Sequence, residues 1–62
     1  MDGVTHEDLA EAARAMASMI SKLEKARTGL APTAKSQLTL IDRRIAALRI
    51  AQALIARELG DG

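Results

Sequence analysis

The stretch QLTLIDRRIAALRIAQALIAREL, from Gln37 to Leu59, decides the fold of this chain because it is apolar on two sides. At about 100° per residue, positions that recur at steps of three and four fall on one side of a helix. We name one such set the core stripe: Leu38, Ile41, Ile45, Leu48, Gln52, Ile55 and Leu59. A second set, named the outer stripe, lies roughly 120° or more away on the same helix and comprises Leu40, Ala47, Ile50, Ala51 and Leu54. Such a helix must be covered on more than one side.

The first half of the chain has a single apolar side. Its members keep a heptad-like spacing that is typical of a coiled coil; they are Leu9, Ala12, Ala13, Met16, Met19, Ile20, Leu23, Ala26 and Leu30. We expect Met16 and Met19 to be core residues, because methionine at helical spacing usually is. The polar side carries opposite charges three residues apart, which stabilise a helix slightly, at Glu11 and Arg14 and at Glu24 and Arg27.

Capping residues predict where the first helix begins and ends. Thr5 is expected at the N-cap, with Asp8 completing a variant capping box. Gly29 follows a basic last turn and is expected to end the helix in the left-handed conformation. Met1 to Val4 precede the helix and are expected to lack regular structure.

Pro32 restricts the residue before it to extended conformations, and Thr33 or Ser36 is then expected to cap a second helix. That helix is expected to end at Gly60-Asp61-Gly62. The connection is short, so the two helices should pack antiparallel as a hairpin. The prediction is a single all-α domain, 1–62, with helix 1 at about 5–28, a turn at about 29–34 and helix 2 at about 35–59.

The composition limits what this hairpin can be. The 62 residues contain no Cys and no aromatic residue, so a core of aliphatic side chains and Met must hold a chain shorter than most self-sufficient domains. The net charge is near +1, which is far from the balance of a nucleic-acid binder. The stretch from Met1 to Leu9 is acidic and lacks the basic start and apolar run of a signal peptide, so export by the usual route is not expected. The apolar window from Ile45 to Ile55 is too short to span a bilayer. We expect a cytoplasmic protein.

One apolar side of helix 1 can cover only one side of helix 2, so the outer stripe is left over. We therefore predict a protein interface there, formed by Leu40, Ala47, Ile50, Ala51 and Leu54 and rimmed by Arg43 and Arg57. The hairpin is expected to associate into a helical bundle with itself or with a partner. The arginines, including Arg44 and Arg49, are expected to be solvated or salt-bridged rather than to bind phosphate.

No motif for catalysis stands out. His6 is the only histidine and lies beside Glu7 and Asp8 at a helix start, so it lacks the second ligand or the pocket that a metal site or a general base needs. Four hydroxyl side chains that could be considered as nucleophiles have no base nearby in the sequence. They are Ser18, Ser21, Ser36 and Thr39. We expect no enzymatic activity, no metal and no cofactor.

The chain also resembles a known family. Glu7-Asp8-Leu9, the spacing of Ile20, Leu23, Ala26-Arg27 and Leu30, then Pro32, Gln37 and Thr39-Leu40, look like the small YscE/SsaE-type co-chaperones of type III secretion systems. The resemblance implies a cytoplasmic helical hairpin that pairs with a tetratricopeptide-like chaperone, so that the two keep the needle subunit soluble before export. It implies packing or interface roles for Leu23, Leu30, Gln37 and Leu40.

Three functions therefore remain open. The first is the secretion co-chaperone, with the outer stripe as its working surface. The second is a self-associating four-helix-bundle regulator, RNA-binding or antitoxin-like. The third is an all-helical enzyme of the chorismate mutase type, which Ile41 to Leu48 weakly resembles. The third is disfavoured because one protomer lacks the helices to bring several arginines and a carboxylate together.

Overall fold

The computed structural model describes residues 3–60, which form two α-helices and no strand. Helix α1 spans His6–Thr28 and helix α2 spans Lys35–Gly60. Near the connection, the end of α1 contacts the start of α2, because Arg27 donates a hydrogen bond to Asp42. Far from the connection, the first half of α1 contacts the second half of α2, because Gln52 Nε2 donates to the Ala13 carbonyl at 3.5 Å. The helices are therefore antiparallel, and the predicted all-α hairpin is confirmed.

The ends of the chain lie partly outside this description. Gly3 and Val4 precede α1 without helical structure, while Met1 and Asp2, for which the same was expected, are not among the described residues. Helix α2 continues through Gly60. Asp61 and Gly62, the other two residues expected to end it, lie outside the described range.

A capping box fixes the start of α1, as predicted. The Thr5 hydroxyl accepts a hydrogen bond from the Asp8 backbone N–H at 3.0 Å, and the Asp8 carboxylate accepts one from the Thr5 N–H at 3.1 Å. A helix start leaves four backbone N–H groups without acceptors inside the helix. The bonds of Thr5 and Asp8 satisfy two of them. Glu7 adds negative charge where the helix dipole favours it.

Helix α1 ends without the left-handed glycine that the sequence predicted. Gly29 has φ −84° and ψ −8°, which is right-handed, and its N–H donates to the carbonyls of Lys25 and Ala26. The Leu30 N–H then donates to the Arg27 carbonyl at 3.2 Å. The last turn is therefore tightened by bonds that span three residues, and no positive φ is needed there.

The start of α2 also differs from the prediction. Ala34 occupies the capping position, since its carbonyl accepts the first helical bond from the Leu38 N–H at 3.0 Å. Thr33 lies one residue too early, where its carbonyl accepts from the Lys35 N–H at 2.9 Å, and Ser36 lies inside the first turn. Alanine has no side-chain acceptor, so α2 begins with a weak cap.

The core between the helices is thin. Ile20 and Ile55 are the buried hydrophobic residues of the described range, each 8% exposed. The remaining members of the core stripe and Met16 are half-buried. Met19 was expected in the core and is instead 44% exposed, because it lies about 100° round the helix from Ile20. Ala26 is exposed as well.

Two ion pairs join the helices along one flank. Arg27 Nε lies 2.7 Å from Asp42 Oδ1, and an Arg49 terminal nitrogen lies 3.0 Å from Glu24 Oε2. Glu24 and Arg27 therefore bond across the hairpin rather than to each other as the sequence predicted. Their side chains remain about half exposed, so each pair adds little stability and chiefly favours one register of the helices. The hydrogen bond from Arg27 lowers the pKa of Asp42.

Replacing Ala34 by Ser should stabilise the hairpin. A serine hydroxyl at this cap can accept from the free N–H groups of the first turn, which is worth about 1 kcal/mol and raises Tm by roughly 4–8 °C in so small a domain. Thermal unfolding followed by circular dichroism measures the change. Ala31→Ser makes the same chemical change outside the cap and should leave Tm in place; equal shifts in both variants would contradict the assignment of Ala34.

The contribution of Asp42 to the free energy of unfolding should be present at neutral pH and lost in acid. Its pKa in the folded chain is below the ordinary 3.8, so the charged pair stabilises the fold above that pH and the stabilisation is lost as pH falls through the lowered pKa. Asp42→Asn should therefore be less stable than the parent at neutral pH, and the two should converge in acid. Urea unfolding of the parent and of Asp42→Asn, at neutral pH and in acid below the lowered pKa, measures the difference in stability. Glu58→Gln is the control, because it removes a carboxylate that lies outside the ion pairs. A difference that persisted in acid would mean that the Asp42 charge is not its source.

Candidate protein-binding surface

The outer stripe lies on the solvent side of α2. Leu40, Ile50 and Leu54 are 47%, 64% and 55% exposed, Ala47 is exposed and Ala51 is half-buried. These large exposed hydrophobic residues all lie on one element, within about 80° of helical arc from Leu40 to Ile50. Single exposed apolar side chains are common on proteins, whereas a contiguous row of them marks a contact surface.

An apolar groove extends this surface from α2 onto α1. It has a volume of about 520 Å³, is open to solvent and is bounded almost wholly by apolar atoms. Its lining residues are Met19, Lys22, Leu23, Arg44, Ala47 and Leu48. Ala47 belongs to both the groove and the outer stripe, so the two form one continuous surface that reaches Met19 on the other helix.

The groove could not be read from either helix alone. Met19 and Ala47 are small or flexible side chains at the two edges of the core, and the space between them exists because neither fills it. The signal that was present in the sequence is the position of Met19 at the edge of the α1 stripe, about 100° from Ile20. The sequence nevertheless led us to predict Met19 in the core, because methionine at helical spacing usually lies there.

The two flanks of the hairpin are chemically different. The ion pairs of Arg27 with Asp42 and of Glu24 with Arg49 lie on one flank, and the groove lies on the other, where Arg44 stands about 140° round α2 from Arg49. Charged side chains therefore cover one side of the helix contact. The other side exposes apolar atoms.

Arg43 and Arg57 are both exposed. Arg43 follows Leu40 by three residues and Arg57 follows Leu54 by three, which makes each a neighbour of the outer stripe on the helix surface. Within residues 3–60 neither takes part in an ion pair. Charged residues at the rim of an apolar contact select partners by electrostatic complementarity more than they add affinity.

The candidate catalytic and metal-binding side chains do not form a site within residues 3–60. His6 is exposed in the first turn of α1. Across residues 3–60, His, Asp and Glu side chains form no group of three or more that could hold a metal ion. Neither of the two helices combines the length and apolar character needed to cross a membrane.

Comparisons of the chain with protein-family models, curated proteins and solved structures give no match. The resemblance to the secretion co-chaperones therefore stays a prediction from the residues, and the outer stripe with its groove is the feature on which a functional proposal must rest.

Proposed function

We propose that this chain is a non-enzymatic protein-binding module whose working surface is the outer stripe. The observation that carries the proposal is the exposure of Leu40, Ile50 and Leu54 along one side of the longer helix. A partner that covers these side chains removes apolar surface from water, and each fully buried side chain is worth about 1.5–3 kcal/mol.

That gain is large for so small a fold. Within residues 3–60 only Ile20 and Ile55 are buried, and a domain of this size has a total stability of about 5 kcal/mol. A contact that binds the folded chain and not the unfolded one adds directly to that stability. Binding a partner is therefore also a means of holding the hairpin folded.

The chemistry of the surface describes the partner. The outer stripe is a convex helical ridge, so its complement is an apolar groove, and Arg43 and Arg57 beside it call for acidic groups on the rim of that groove. Stacked helical repeats form concave surfaces of this kind, and an amphipathic helix laid into a groove is a common mode of recognition.

A tetratricopeptide-like chaperone fits this description, and we propose it as the partner in the narrower form of the function. In that form the chain is a cytoplasmic co-chaperone of a type III secretion system. It binds the chaperone through the outer stripe, and the pair keeps the needle subunit soluble before export. The support is the exposed ridge together with the residues that resemble the YscE/SsaE-type proteins.

Leu54→Asp should abolish partner binding while leaving the hairpin helical. Leu54 is more than half exposed, so the change costs the free chain little, but in the complex it would bury an unpaired charge; a penalty of about 3 kcal/mol or more lowers affinity about 100-fold or more. The measurement is capture of the co-expressed tetratricopeptide chaperone and needle subunit by the tagged chain, with circular dichroism as the check on folding.

Ala53→Asp is the matched control. It places the same charge one residue earlier on α2, at an exposed position about 100° round the helix from Leu54, and it should retain the partner. Equal capture by the parent chain and by Leu54→Asp would remove the outer stripe from the function. Failure of the parent chain to capture the chaperone would overturn the narrower proposal.

A further inference from the structure

We propose that in the absence of a partner two copies of this chain cover each other's outer stripe and groove, with their loops at opposite ends, and form an antiparallel four-helix bundle. The inference goes beyond the proposed function by naming what occupies the same surface in the free chain. It commits to a second copy because the surface is complementary to itself in spacing, in charge and in area.

The spacing on α2 is symmetric about Ala47. Leu40 lies seven residues before it and Leu54 seven residues after it, which is about 10.5 Å in each direction along the helix and within 40° of arc. A two-fold axis through Ala47, perpendicular to α2, places Leu40 of each copy opposite Leu54 of the other and brings the two Ala47 residues together. Small side chains at the centre let two helices approach closely, while the leucines on either side fill the remaining space.

The groove is filled by the same operation. Met19 and Ala47 line it from the two helices, so an axis at the level of Ala47 also passes close to Met19 of α1. The two Met19 side chains then meet beside the axis. Methionine is unbranched and adapts to irregular gaps, and here it is 44% exposed and available to do so.

Charge favours loops at opposite ends. The loop half of the hairpin, residues 18–47, carries six basic and two acidic side chains. The other half, residues 3–17 and 48–60, carries three basic and four acidic ones. Antiparallel stacking places the strongly positive half of each copy on the negative half of the other, whereas stacking with loops at the same end would place two strongly positive halves together.

The arginines near the axis do not oppose this arrangement strongly. The two Arg44 residues stand six positions apart along the paired helices, about 9 Å, which is close to the distance over which physiological salt screens exposed charges. Long basic side chains also lay their aliphatic stems on apolar surface while the charge stays in water. Arg44 is exposed and is among the residues that line the groove, whose boundary is almost wholly apolar.

The exposed area matches what a dimer needs. The chain has 4789 Å² of accessible surface, whereas a compact monomer of its mass exposes about 3,900 Å². The excess of about 900 Å² is close to the area of about 800 Å² that each partner buries in an interface of standard size. The elongated shape, 45 × 18 × 14 Å, spreads the exposed surface along the two helices rather than over a compact ball.

The dimer would regulate the proposed binding function. A partner that uses the outer stripe has to displace the second copy, so its apparent affinity falls as the dimer becomes more stable. Ile50 lies about 60° round the helix from Ala47 and stays at the edge of the contact between copies. It is the most exposed of the large hydrophobic residues, at 64%, and remains available to a partner.

The absence of cysteine from the chain permits a direct test by cross-linking. The full chain is first examined by analytical ultracentrifugation over a dilution series, where the mass of a dimer that dissociates on dilution is expected. Single-cysteine variants Leu40→Cys, Ala47→Cys and Leu54→Cys are then treated with a short bismaleimide reagent. Ala46→Cys is the matched control, since it is an exposed alanine one residue from Ala47 on the side away from the contact.

Ala47→Cys should form a cross-linked dimer with itself. A mixture of the Leu40→Cys and Leu54→Cys chains should form a cross-linked dimer between the two variants. Leu40→Cys alone should stay uncross-linked, because two copies of position 40 are about 21 Å apart in this arrangement. Ala46→Cys should also stay uncross-linked.

A monomer at all concentrations would overturn the proposal, as would a dimer in which Leu40→Cys links to itself or in which none of the three positions links. Partner capture by a chain that is monomeric would overturn the dimer while leaving the proposed binding function intact. A dimer that captures no partner would overturn the proposed binding function while leaving the dimer intact.

Discussion

The rest of the structure depends on how much of the apolar surface of α2 a single neighbouring helix can bury. A helix has room for two apolar stripes on opposite sides, but one neighbouring helix covers only one of them. The core stripe packs on α1, and Ile20 and Ile55 become the buried residues of the contact. The outer stripe, with Leu40, Ile50 and Leu54, stays in water because residues 3–60 form no third element that could cover it.

The two flanks of the hairpin differ in their chemistry, and we assign folding to one and the proposed association to the other. On one flank, ion pairs from Arg27 and Glu24 reach across to α2 and favour a single register. On the other flank the groove between Met19 and Ala47 is left open. A surface that is apolar, continuous over two helices and free of cross-helix ion pairs can accept another helix at little desolvation cost, since few polar groups lose their water.

The two proposals, protein binding and self-association, assign two uses to one surface. The proposals differ in what covers the outer stripe, and the charge distribution along the hairpin links them: the positive loop half attracts either the negative half of a second copy or the acidic rim of a partner's groove. The stability of the free dimer would then set how readily the chain is handed to its partner.

The sequence by itself determined the two helices, their antiparallel pairing and the outer stripe, because these follow from local patterns. Thr5 with Asp8 predicted a helix start that the structure confirms, and the three- and four-residue spacing of α2 separated its two apolar sides. The exposure of Leu40, Ile50 and Leu54 followed from counting stripes against the helices available to cover them.

Only the tertiary structure decided the features that depend on how the two helices lie against each other. The right-handed Gly29 and the Ala34 cap rest on local hydrogen bonds between residues two to four apart, and residue preferences for a left-handed glycine and a Thr or Ser cap did not reveal them. Glu24 and Arg27 have partners three residues away, yet they bond to α2 because the register brings Arg49 and Asp42 closer. Met19 lies at the edge of the α1 stripe, which the sequence shows, but the groove that it lines also includes Ala47 of α2 and so depends on how the two helices pack.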